Sequence, residues 1–92
     1  MSTSDIDKDG LVPISAWCDD ESLHVKLADG RQIATPLWWY PSLLSASHAE
    51  RNNLELMYTG IHWPGLDEDL SIDGMLRGWK SRDARPPAVA AE

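Results

Sequence analysis

The clearest signal along the chain is an alternation of period two. Leu23, Val25 and Leu27 are separated by His24 and Lys26, the pattern of a strand with one buried and one wet face. The same alternation begins at Pro13, where Ile14, Ala16 and Cys18 fall on one face and Ser15 and Trp17 on the other. Asp19-Asp20-Glu21 makes a polar turn between the two runs. After the second run comes Ala28-Asp29-Gly30-Arg31. Asp-Gly favours a type I′ hairpin turn, because both central residues of that turn need positive φ. A third run, Gln32 to Leu37, contains Ile33 and Ala34 and is interrupted by Pro36. Residues 13–37 therefore predict a three-stranded antiparallel meander.

The second half is less regular. Trp38-Trp39-Tyr40 leads to Pro41, a residue suited to the first turn of a short helix through Leu44. Ser47-x-x-Glu50 has the spacing of a capping box and predicts a second helix start. Leu54, Leu56 and Tyr58 alternate with Glu55 and Met57 and predict a fourth strand, broken at Thr59-Gly60. Ile61-His62-Trp63-Pro64-Gly65 reads as an ordered turn, followed by an acidic loop at Asp67, Glu68 and Asp69. Asp73 is a candidate N-cap for a last helix through Met75 and Leu76, stopped at Gly78. The expectation is an α+β fold: a small three- to four-stranded antiparallel meander with two or three short helices. Residues 1–10 read as a disordered acidic leader, 11–79 as a single domain and 80–92 as a flexible tail.

Composition narrows the function. With no Phe in the chain, the core must come from Leu, Ile and Val together with five Trp. Fifteen acids against eight bases leave a net charge of −7, which disfavours phosphate-backbone binding and anionic membrane surfaces. It leaves room for a basic protein partner. The lone Cys18 excludes an internal disulfide framework, and no signal-peptide pattern or apolar membrane span is present, so a cytoplasmic location is expected.

Motifs for chemistry are sparse. Asp5-x-Asp7-x-Asp9-Gly10 opens like a calcium loop, but the position of the bidentate Glu is Ala16. His24, His48 and His62 lack the spacing of a zinc site. Asp67, Glu68 and Asp69 could act as paired carboxylates with His62, but adjacent acids in one loop more often cap a helix or pair with an arginine such as Arg51 or Arg77. Cys18 has no base beside it and reads as core, and no nucleophile elbow or phosphate loop is present. No catalytic residue, metal ligand or cofactor is expected. Trp38 and Trp39 are adjacent, so on an extended segment they point to opposite sides, and one can remain at the surface.

Pro36-Leu37-Trp38-Trp39-Tyr40-Pro41 with Leu43, then Glu50-Arg51, Gly60-Ile61-His62-Trp63-Pro64 and Leu66 through Ile72, with Gly78 beyond, resembles the bacterial domain-of-unknown-function family 2442. Leu27-Ala28-Asp29-Gly30-Arg31 fits its hairpin. The chain departs from the family at Ser42, where an arginine is usual, and near Leu54, where an aromatic is usual. The resemblance implies a small α+β fold without an established activity, whose members look like partners of a second small protein in toxin–antitoxin-like gene pairs.

The expected function is that of a non-enzymatic protein-interaction module, antitoxin-like, holding a small basic protein as a monomer or homodimer. Candidate contact residues are Trp38, Trp39, Arg51, His62, Trp63, Asp67, Glu68 and Asp69. One alternative is an acidic nucleic-acid mimic that inhibits a nucleic-acid-binding complex, in the manner of an anti-CRISPR protein. The other is a small enzyme using His62 with Asp67 or Asp69.

Overall fold

In the computed structural model, which describes residues 10–87, the chain forms an α+β fold with two antiparallel three-stranded sheets and three short helices. Asp5, Asp7 and Asp9 of the calcium-like motif lie outside the described residues. The first sheet is the expected meander: β1 (Pro13–Cys18), β2 (Ser22–Leu27) and β3 (Gln32–Pro36), in that order. Leu23, Val25 and Leu27 are fully buried, as the alternation requires.

Two details of this sheet differ from expectation. The register shifts between Pro13 and Ser15, which face Leu27 and Lys26, so Ile14 is the extra residue of a bulge and is 54% exposed. A bulge resets the alternation, which moves Ile14 off the face of Cys18. In the β2–β3 turn, Gly30 has φ 96° and Asp29 is not in the positive region. The bonds Gly30 N–H to Leu27 O and Leu27 N–H to Arg31 O enclose three residues. That is a longer loop closed by a left-handed glycine, rather than the type I′ turn.

After β3 a short 3-10 turn (Leu37–Trp39) runs into α1 (Pro41–Leu44) and α2 (His48–Arg51). The capping box at α2 is formed: Ser47 Oγ accepts from Glu50 N–H, and Glu50 Oε1 accepts from Ser47 N–H. These helices are too short to stand alone. They are held by Leu43, fully buried, and by Arg51.

The second half forms a second sheet: the strand expected around Leu54 to Tyr58 is present, and two further strands stand where a turn and an acidic loop were expected. β4 (Glu55–Leu56), β5 (Gly60–Trp63) and β6 (Glu68–Ser71) pair antiparallel, with β5 in the centre. Ile61 and Trp63 are buried and alternate with His62. The β5–β6 loop is closed by Asp67 at φ 52°, a conformation that a short polar side chain tolerates. α3 (Ile72–Arg77) is capped by Ser71, whose Oγ accepts from Gly74 N–H, and not by Asp73, which pairs instead with Arg77. Gly78 ends the helix as expected.

Both sheets send apolar side chains into one core, where Leu23, Val25, Leu27, Leu37, Leu43, Ile61, Trp63 and Ile72 have essentially no exposed surface. Each contributes about 1.5–3 kcal/mol by leaving water. Thr35, buried among them, accepts a hydrogen bond from the Tyr40 hydroxyl at 3.0 Å. Among the described residues, no buried side-chain nitrogen or oxygen lacks a partner, and no helix is long and apolar enough to cross a membrane.

Candidate functional site

β5 brings His62 between two acids. Its neighbour on β4 is Glu55 and its neighbour on β6 is Asp69, so the three form a row across the outer face of the second sheet. His62 Nδ1 lies 2.6 Å from Asp69 Oδ1. Asp67 is in the loop beyond, and the histidine's carboxylate partner is Asp69. The Asp69 side chain is 76% exposed, so the pair stands in solvent. Among the described residues, no three His, Cys, Asp or Glu side chains gather closely enough to hold a metal ion.

Glu68, adjacent in sequence, points the other way, as strand geometry requires. It is half-buried, and its Oε1 accepts from Ser42 Oγ at 2.6 Å. It thus ties β6 to α1. None of the three acids pairs with Arg51 or Arg77. Arg77 is held by Asp73. Arg51 spends its guanidinium on the end of α1, with Nε donating to Leu43 O and a terminal nitrogen to Leu44 O, both at 2.9 Å. Both carbonyls lie in the last turn of α1, where Leu43 O also accepts a longer 3.2 Å bond from Ala46 N–H. Only a long 4.0 Å contact to Asp20 reaches outward from Arg51.

The tryptophans divide. Trp63 is completely buried, with its indole N–H donating to Arg51 O at 2.7 Å, so a partner at the surface does not reach it. Trp38 and Trp39 are half-buried and meet edge to face, with centroids 6.4 Å apart. Trp39 carries the Lys80 ammonium 4.7 Å above its ring, and its carbonyl accepts from Ser81 N–H. Residues 80 and 81 are thereby tied to the 3-10 turn. Trp79, absent from the candidate contacts, is 61% exposed, and Trp17 is 41% exposed and stacked on His24. Between β6, α3 and Trp79 opens a cleft of about 310 Å³.

The sequence reading also passed over Asn52, whose side-chain amide binds both the N–H and the C=O of Cys18 and covers the edge of β1. Burial pushes the Cys18 thiol up to about 11, against the opposing pull of the Arg51 charge. Asp19 is lowered to about 2 by the backbone N–H of Glu21 and by His24. Leu56, Met57 and Tyr58, at the end of edge strand β4, are exposed by 41%, 52% and 60%. No sequence pattern marked them as surface, because alternation shows which residues share a face and not which face is covered.

These features define a small α+β domain with two meanders around one core, an open apolar edge and an acid-lined cleft. Residues 13–81 match the model of the family described as protein of unknown function (DUF2442), and the chain belongs to that family. It is also similar to a solved structure of a protein of unknown function from Rhodospirillum rubrum ATCC 11170. The two are 28% identical over 79% of this chain and 93% of that one, with a TM-score of 0.69. No curated protein matches the chain.

Proposed function

We propose that the protein is a non-enzymatic interaction module that holds a small basic protein, as the antitoxin of a toxin–antitoxin-like pair does. The observation that carries the reading is the exposure of three consecutive large apolar residues: Leu56, which ends edge strand β4, and Met57 and Tyr58 in the turn that follows it. Such an edge is a template for pairing with another chain, and a contiguous apolar patch costs solubility unless something covers it. Glu55 in the same strand and the net charge of −7 favour a basic partner. A cytoplasmic setting suits such a complex.

Two further observations support docking over the alternatives. Asp29 and Asp73 are ion-paired with Arg31 and Arg77, and Asp19 and Asp69 are hydrogen-bonded to His24 and His62, which is unlike a phosphate-spaced array of free acids. The His62–Asp69 pair stands on an open sheet face, where water competes with any substrate.

The test is co-expression of the tagged chain with small basic products of adjoining genes, read by co-purification and by relief of growth arrest. A stoichiometric complex lost in Leu56→Asp/Met57→Asp is expected. Growth arrest without rescue and without a complex sinks the reading. Self-association that the same variant abolishes would make the edge a homodimer contact instead.

A further inference from the structure

The cleft between β6, α3 and Trp79 combines three features that recognise a cation. Its wall is the Trp79 ring, which lies on α3 because residue 74 is glycine: a Cβ there would come within 2.9 Å of the ring. Tyr40 supplies further aromatic lining and Met75 an apolar floor. Glu68 supplies a half-buried carboxylate that accepts from a neutral donor, the Ser42 hydroxyl. That carboxylate is close enough to add to the upward push that burial exerts on the Tyr40 phenol. Glu68 forms no ion pair with any described residue. Lys80, also on the rim, keeps its ammonium over Trp39 and 3.4 Å from Gly78 O.

A half-buried carboxylate with no cation beside it is unfavourable in isolation, and it gains most when a positive charge enters. The Trp79 ring already draws one guanidinium, that of Arg77 at 5.9 Å from its centroid, and the indole surface toward the cleft adds attraction for a further cation. The volume of about 310 Å³ accommodates a long side chain. We infer that this cleft receives an arginine side chain of a protein partner, with the guanidinium paired to Glu68 and stacked on Trp79. This rests on the interaction reading above and names what the partner inserts.

The probe is the peptide N-acetyl-Gly-Arg-Gly-amide, titrated into the full chain at low salt and followed at the Trp79 indole N–H by NMR. A saturable shift is expected, absent with the Gln-containing peptide. Glu68→Gln keeps the Ser42 hydrogen bond and should weaken binding at least about tenfold, the worth of a charge-assisted bond. Ser42→Arg should abolish it by placing the chain's own guanidinium beside Glu68, with the melting temperature maintained. Equal binding by the Gln peptide, or by Glu68→Gln, overturns the proposal, as does a Glu68–Lys80 pair that closes the cleft in solution. A protein captured by the wild type and held equally by Glu68→Gln overturns this site and leaves the interaction reading intact. Peptide binding that depends on Glu68, with no protein partner found, supports the site and counts against that reading.

Discussion

The indole N–H of Trp63 donates to the backbone carbonyl of Arg51 at 2.7 Å, joining the centre of the second sheet to the end of α2. The bond is shielded because Trp63 has no exposed surface. Trp63→Phe should lose the bond, leave the Arg51 carbonyl short of a partner and open a void. A loss of about 2–4 kcal/mol is expected from the unsatisfied group and the cavity together. Denaturant unfolding of the variant measures it, and a change below about 1 kcal/mol would show that the core relaxes around the smaller ring.

Arg51 itself works in the opposite direction along the chain. Its guanidinium holds the Leu43 and Leu44 carbonyls, so Arg51→Ala should fray α1 and cost about 1–3 kcal/mol. Hydrogen exchange at Ser45 and Ala46, whose amides donate to Pro41 and Leu43, should accelerate more than exchange in β2. Uniform acceleration would contradict a local role.

Gly60 opens β5 opposite Ser71, and a Cβ there would lie 2.6 Å from the Leu70 carbonyl oxygen. The obstacle is backbone, so it cannot swing aside. Gly60→Ala should displace β6 and lower stability by more than about 2 kcal/mol, visible as a fall in melting temperature of several degrees. An unchanged melting temperature would place the strands further apart than this geometry has them.

Cys18 offers a pH test. Its thiol is raised from 9.0 to about 11 in the fold, so between those values the unfolded chain loses the proton and the native one keeps it. The native state then binds more protons, and stability falls as pH rises from about 9 to 11. Cys18→Ser should flatten this part of the stability curve. Alkylation of the native thiol at pH 8 should be slow, and should become fast only on unfolding.

Much of this was legible from residue order alone. The strands of the first meander, the capping box at Ser47 and Glu50, Pro41 at a helix start and Gly78 at a helix end all follow from neighbours within four residues. Each is set by local sterics and hydrogen bonding, which leave a mark at fixed spacing. Family membership was readable for the same reason, through short runs such as Gly60 to Pro64. Of the second sheet only β4 was, through the alternation around Leu54 to Tyr58. Its strands are two to four residues long, and β6 contains Glu68 and Asp69, which no strand propensity favours. They are strands because β5 buries Ile61 and Trp63 against a core supplied largely by the first half, and β4 and β6 then satisfy its backbone.

The candidate surface divides along the same line. That His62 would have an acid near it could be read from Asp67 and Asp69, but choosing Asp69 required the β5–β6 register. Trp63 and Arg51 were candidates on residue type, and folding places the one in the core and turns the other to helix carbonyls. Trp79 and the apolar end of β4 carry no sequence mark at all. Residue order sets the local elements, the acidity and the family membership. The tertiary structure alone decided which charges are spent inside the fold and which side chains remain at the surface, because burial depends on what packs from distant parts of the chain.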